Sequence, residues 1–135
     1  MAIVDPAQAR RTSWVLWSAL LFAQVVYVGI AASGIAGRSS TSPPADVFTT
    51  GLGVIGLGTA VGAHLSWRHS RGTGRAAHEP PPSQQQAFPF FLLACVLDES
   101  IAIYGLVLAF LGAPAPTWAP FSAAAFALLM LHRPA

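Results

Sequence analysis

Two adjacent acidic residues inside an apolar segment are the residues of this sequence best suited to chemistry. Asp98 and Glu99 lie in the stretch 87–112, which holds no other charged side chain. An ionised acid at the centre of a bilayer costs at least ~2.5–3.5 kcal/mol on insertion scales. Two neighbouring acids should not both ionise there, because desolvation and mutual repulsion both favour the neutral form. The pair therefore indicates a reversible proton or sodium site, neutral in lipid and open to exchange in water.

Few polar residues are available as partners for these acids. Arginine, lysine and histidine are absent from the middle of every apolar segment, so we expect no basic companion. Gln24, in the first segment, is predicted to form an interhelix hydrogen bond rather than to bind a ligand, and Ser100 follows Glu99 directly. Two alternatives stay open: the acids are protonated residues that hydrogen-bond between helices and carry no ion, or they contact a substrate.

Composition places the chain in a membrane. Hydrophobic residues make up 54% and charged residues 9% of the 135 residues, whereas soluble domains carry about a quarter charged residues. Lipid must therefore solvate most of the surface. No basic stripe alternates with aromatics, so no nucleic-acid partner is expected. The sequence has no zinc-type cluster, nucleophile–base pair, phosphate loop or dinucleotide motif, so we expect no cofactor and no covalent catalysis.

Four apolar segments predict an all-α, four-helix membrane protein that forms a single domain over residues 1–135. A helix needs about 20 apolar residues to cross a ~30 Å hydrocarbon core. The segments cover residues 13–37, 47–67, 87–112 and 116–131, the last being short for a full span. The connection 68–86 is rich in proline and glutamine and cannot form a core, so it is a candidate binding segment for a membrane or cytoplasmic protein.

The arginines predict the orientation of these segments. All seven basic residues are arginine. With the N-terminus inside, six of them lie in inside segments, and Arg38 is the only one outside. Positive residues favour the cytoplasmic side, so both termini should be cytoplasmic, and the expected location is a bacterial inner membrane.

Small residues predict close helix packing. Helices in lipid associate through small side chains that let backbones approach. On the third segment, small residues at steps of three and four place Asp98 on a close-packed stripe, with Glu99 about 100° further round. Glycines on several faces of the second segment indicate neighbours on more than one side and favour a homo-oligomer. The predicted packing glycines are Gly51, Gly53, Gly56, Gly58, Gly62 and Gly105.

The segment 97–109, with the sequence LDESIAIYGLVLA, resembles the second helix of the c subunit (proteolipid) of rotary ATP synthases. That family commonly has a membrane-centred glutamate followed by Ser or Ala and, five positions on, by Tyr. Glu99, Ser100 and Tyr104 match the sodium-binding form of this pattern, and the glycine-rich second segment is similar to the family's first helix. The resemblance covers segments two and three only. The long connection 68–86 replaces the family's short Arg-Gln-Pro loop, and Asp98 is additional.

The resemblance implies a rotor-type hairpin within a ring-forming protein. Glu99 would be the carboxylate that binds H⁺ or Na⁺, Ser100 and Tyr104 would lie near it, and Asp98 would assist. The expected role is ion translocation, at most as a subunit of an ATP synthase-like complex. The alternative is a structural or accessory subunit of a larger membrane complex, with no transported ion.

Overall fold

Four α-helices make up most of the chain in the computed structural model, which describes residues 6–35, 46–73, 80 and 82–134. The all-α prediction is confirmed. Three helices are long and apolar enough to cross a membrane, whereas the fourth, at 17 residues, is shorter. The predicted segment 13–37 and connection 68–86 lie partly outside the described residues. The helices are α1 (Pro6–Ala32), α2 (Asp46–Ser70), α3 (Gln84–Phe110) and α4 (Ala115–Leu131).

The third helix, α3, forms the centre of the bundle. It packs against all three other helices, whereas α1 and α2 share no contact among the described residues. Of the most apolar part of α3, 44% is buried, against 6% for α1 and 11% for α2. The two outer helices therefore present most of their apolar side chains away from the protein, as expected of helices that face lipid.

A tight turn connects α3 to α4 and makes them antiparallel. Gly112 has a φ of 80°, which a residue with a Cβ rarely adopts. Its N–H donates to the Ala109 carbonyl at 3.0 Å, and the N–H of Ala113 donates to the Leu108 carbonyl at 3.0 Å. This pair of bonds is a Schellman motif, which satisfies the last carbonyls of α3. Pro114 then precedes the first residue of α4.

Three of the predicted packing glycines lie at close contacts within the chain. A Cβ at Gly105 would lie 2.9 Å from the Phe121 Cβ, a Cβ at Gly56 would lie 3.2 Å from the Phe121 ring, and a Cβ at Gly62 would lie 3.5 Å from Leu97. Gly105 lets α4 approach α3, Gly62 lets α2 approach α3, and Gly56 lets α2 approach α4. The other three, Gly51, Gly53 and Gly58, have open space around them.

A short segment after α4, His132 to Pro134, turns back into the bundle. His132 is fully buried, and the Arg71 guanidinium donates to the carbonyl of Arg133 at 3.4 Å. The Trp17 indole N–H donates to the Leu129 carbonyl at 2.7 Å, which joins α1 to the last turn of α4. These contacts fix the end of the chain against α1, α2 and α3.

Candidate functional site

Asp98 lies at the middle of α3, on its buried face. It follows Gln84 by 14 residues and precedes Phe110 by 12, so about 20 Å of helix extends on either side. Its side chain is completely buried, and so are Ala94 and, within 1% of exposure, Ala102 on the same stripe. The prediction that Asp98 projects from the close-packed face of its helix is confirmed.

Asp98 has a basic partner, His132. His132 Nδ1 lies 2.8 Å from Asp98 Oδ2, and both side chains are 0% exposed. The expectation that neither acid has a basic companion is therefore wrong for Asp98. An ionised Asp98 accepts a hydrogen bond from His132 Nδ1–H, so this carboxyl is not left without a partner in the bundle interior.

Aromatic rings enclose the other side of His132. The Trp67 ring lies 5.3 Å from the His132 ring, and the His64 ring lies 5.8 Å from it, measured between centroids. His64 and Trp67 also stack on each other at 5.9 Å. The end of α2 thus supplies a wall of flat side chains that holds the imidazole in position against Asp98.

Glu99 occupies a different environment from Asp98. Its side chain is half-buried and faces α1 rather than α4. The Gln24 amide nitrogen lies 3.5 Å from Glu99 Oε2, and the Tyr27 hydroxyl interacts with the same carboxyl. Both partners are neutral, so in the described part of the chain Glu99 is held by hydrogen-bonding groups and has no cationic partner.

The two residues that the resemblance places near Glu99 have other contacts. The Ser100 hydroxyl donates to the Val96 carbonyl at 2.8 Å, within its own helix. The Tyr104 ring lies beside Gly56 on α2, where it would approach an added Cβ to 3.9 Å. Within one chain, Glu99 therefore faces α1 while Tyr104 faces α2.

Three buried polar atoms near this level of α3 have no hydrogen-bond partner among the described residues. They are Gln24 Oε1, Asp98 Oδ1 and His132 Nε2. A buried polar atom without a partner costs about 1–3 kcal/mol. The two carboxyls thus lie in a polar region with unused donor and acceptor capacity. In the described part of the chain, no group of three or more His, Cys, Asp or Glu residues could hold a metal ion.

His132 and Tyr27 are the site residues that the sequence reasoning missed. His132 follows the last apolar segment directly, where a histidine reads as an interfacial residue. The length of α4 is the signal that could have placed His132 near Asp98. A 17-residue helix that returns from a tight turn ends opposite the first half of its 27-residue neighbour, close to Asp98.

No family model, curated protein or solved structure matches this chain. The functional argument therefore depends on the geometry of the site.

Proposed function

We propose that this chain is an oligomeric membrane protein that binds a proton or a sodium ion reversibly at Glu99 and takes part in ion translocation, in the manner of an ATP synthase c subunit. The observation that carries the proposal is the environment of Glu99. This carboxyl lies at the middle of an apolar helix, is half-buried, and among the described residues has the neutral groups of Gln24 and Tyr27 as partners. Neutral partners stabilise a carboxyl group without fixing its charge.

Gln24 suits a site that changes its protonation state. An amide offers both N–H donors and a carbonyl acceptor. An ionised Glu99 accepts a bond from the Gln24 N–H, and a protonated Glu99 can donate to the Gln24 oxygen after rotation of the amide. That oxygen is buried and without a partner among the described residues. It is also an oxygen ligand of the type that a sodium ion would use.

The two carboxyls have different roles in this proposal. Asp98 is buried and bonded to His132, so it acts as a fixed neighbour of Glu99. Glu99 then exchanges the ion, being neutral when it faces lipid and open when it faces water. The unobstructed glycines of α2 lie on two faces, Gly51 and Gly58 on one and Gly53 on another, and leave room for other copies to pack. A ring of copies would bring further side chains to Glu99. Counting protomers in a detergent-extracted particle tests this part.

Carbodiimide labelling tests the proposal directly. A hydrophobic carbodiimide reacts with protonated carboxyls in apolar surroundings, so we expect a single adduct on Glu99 at mildly acidic pH, located by peptide mass spectrometry. Glu99→Gln should abolish the adduct. The matched variant Asp98→Asn should retain it, because Asp98 is enclosed by His132 and α4. Protection by sodium would assign the site to Na⁺, and lack of protection would assign it to H⁺. Absence of the Glu99 adduct would contradict the proposal.

A second function is favoured by the interhelix bonds themselves. Asp98–His132 joins α3 to the end of α4, and Gln24–Glu99 joins α1 to α3. The acids of a structural or accessory subunit would serve only to hold these helices together. Ion flux in proteoliposomes separates the two functions: Glu99→Gln in an ion carrier assembles but loses flux, whereas in an accessory subunit it preserves the activity of the host complex.

A further inference from the structure

A small cavity lies at one end of the bundle, where four segments of the chain meet. Its volume is about 140 Å³. The first turns of α1 and α3, the last turn of α2 and the segment after α4 line it. Three arginines contribute to its wall: Arg10 of α1, Arg71 directly after α2, and Arg133 of the C-terminal segment.

The positive charge of this cavity has no acidic counterpart in the described part of the chain. Among the described residues, the one acidic group in contact with a basic side chain is Asp98, and its partner is His132 and not an arginine. The Arg71 guanidinium lies 5.1 Å over the Trp67 ring and gives one hydrogen bond to the Arg133 carbonyl. Because a guanidinium carries five N–H donors, most of the donors of these three side chains remain available to an anion.

The remaining wall is apolar and aromatic. Trp67, Phe88 and Phe91 line the cavity together with the arginines. Phe88 and Phe91 belong to the first turns of α3, a helix long enough to span a bilayer. An arginine cluster beside aromatic side chains at the end of such helices corresponds to the level of lipid headgroups.

We propose that this cavity binds the phosphate group of an anionic phospholipid. Guanidinium groups bind phosphate through paired, charge-assisted hydrogen bonds. Pockets that enclose drug-sized ligands measure about 300–1,000 Å³, so a cavity of about 140 Å³ accommodates a single small group and not a whole nucleotide. The acyl chains would lie outside the cavity, along the exposed apolar faces of the neighbouring helices.

The bound lipid would act on the C-terminal segment. Arg133 directly follows His132, whose imidazole is bonded to Asp98. A phosphate held by Arg133 and Arg71 joins this segment to α2 and so favours the position of His132. This binding site is independent of whether Glu99 carries an ion.

Native mass spectrometry of the full-length protein in neutral detergent tests the proposal. Phosphatidylglycerol, phosphatidylcholine and inorganic phosphate are the probes. We expect phosphatidylglycerol to bind more tightly than phosphatidylcholine. Arg10→Gln should weaken its binding about fivefold, the effect of one basic residue at an anionic membrane surface, and Arg10→Gln/Arg133→Gln should weaken it further. The Arg71–Arg133 hydrogen bond does not involve Arg10, so the Arg10 variant should keep this contact.

The chain offers matched controls for these variants. Arg11 on α1 and Arg68 near the end of α2 are exposed and do not line the cavity. Arg11→Gln and Arg68→Gln should change the phosphatidylglycerol affinity less than Arg10→Gln does. Equal losses in all four arginine variants, or equal binding of the two lipids, would overturn the proposal. Displacement of phosphatidylglycerol by millimolar inorganic phosphate would assign the cavity to a free anion and overturn the lipid assignment.

Discussion

At the scale of single residues, the Asp98–His132 pair should contribute strongly to stability. Both side chains are fully buried, and their bond is 2.8 Å long. Removal of one partner from such a pair leaves an uncompensated polar group and costs about 3–5 kcal/mol. We therefore expect Asp98→Ala and His132→Ala each to lower the free energy of unfolding by this amount, measured by denaturant titration in detergent micelles.

A double-mutant cycle distinguishes the pair from general loss of packing. The double variant Asp98→Ala/His132→Ala should cost less than the sum of the two single variants, because neither group is then left without a partner. Asp46→Asn, a change of an exposed acid in the first turn of α2, serves as the control and should cost no more than ~1 kcal/mol. Additive losses at Asp98 and His132 would show that the two groups do not interact.

The sequence predicts one half of this site well and the other half poorly. The burial of Asp98 follows from the spacing of Ala94, Ala102 and Gly105, since small residues at steps of three and four define one helix face. The partner His132 is 34 residues away. The position of His132 inside the bundle depends on the length of α4 and on the path of the residues after it. The hydrophobicity of the sequence alone does not predict that path. Tyr27 was missed because a tyrosine within a long apolar run carries no periodic signal.

At the scale of helices, Gly105 determines how closely α4 approaches α3. A Cβ there would lie 2.9 Å from the Phe121 Cβ and 3.0 Å from the Trp118 backbone oxygen. Neither atom is the far end of a flexible side chain, so the helices must separate to admit a methyl group. We expect Gly105→Ala to destabilise the protein by about 1–3 kcal/mol, the usual cost of overpacking, measured as a lower unfolding midpoint.

Gly29→Ala, within α1, is the matched control for this helix contact. Gly29 has open space around it, so the added methyl group meets no atom of the described residues within 4 Å. Because alanine favours a helix over glycine by about 0.8–1.0 kcal/mol, this variant should leave the monomer unchanged or slightly more stable. A loss of stability equal to that of Gly105→Ala would show that close packing at α4 is not the cause.

The four helices were predictable because each contains an apolar segment, but α1 and α3 begin before those segments. The helix α1 begins at Pro6, earlier than the predicted residue 13, since the polar residues of its first turns carry no hydrophobic signal. Likewise α3 begins at Gln84, before residue 87. The tight connection between α3 and α4 was evident from its length. The contacts of individual glycines were not, because glycines in contact and glycines in open space look alike in the sequence.

At the scale of the whole molecule, the exposed surface is that of a protein in lipid. Val47 is 84% exposed, Phe22 is 70% exposed and Leu57 is 69% exposed. In water, burial of such side chains would yield about 1.5–3 kcal/mol each. The bundle leaves them outside. A surface of this kind suits a membrane environment, in agreement with the three helices that are long and apolar enough to cross one.

The placement of the arginines also predicts how the whole molecule is oriented in the membrane. The positive-inside rule requires Gln8 and Thr73 on the cytoplasmic side and residue 42, which lies outside the described residues, on the opposite side. Gln8 and Thr73 are both exposed. Gln8→Cys and Thr73→Cys should therefore react with a membrane-impermeant maleimide only after permeabilisation of the cells, whereas Ser42→Cys should react in intact cells.

The single native cysteine makes this measurement simple. Cys95 is 0% exposed and lies in the core beside Phe91 and Leu129, so the unmodified protein should give little background, and Cys95→Ala provides the blank.

Orientation also decides which side can exchange ions and lipids with the site. The arginine-lined cavity lies at the end that carries Gln8 and Thr73, and cytoplasmic anionic lipids can reach it only if that end is inside. Reaction of Gln8→Cys in intact cells would reverse the orientation and place the cavity in the opposite leaflet.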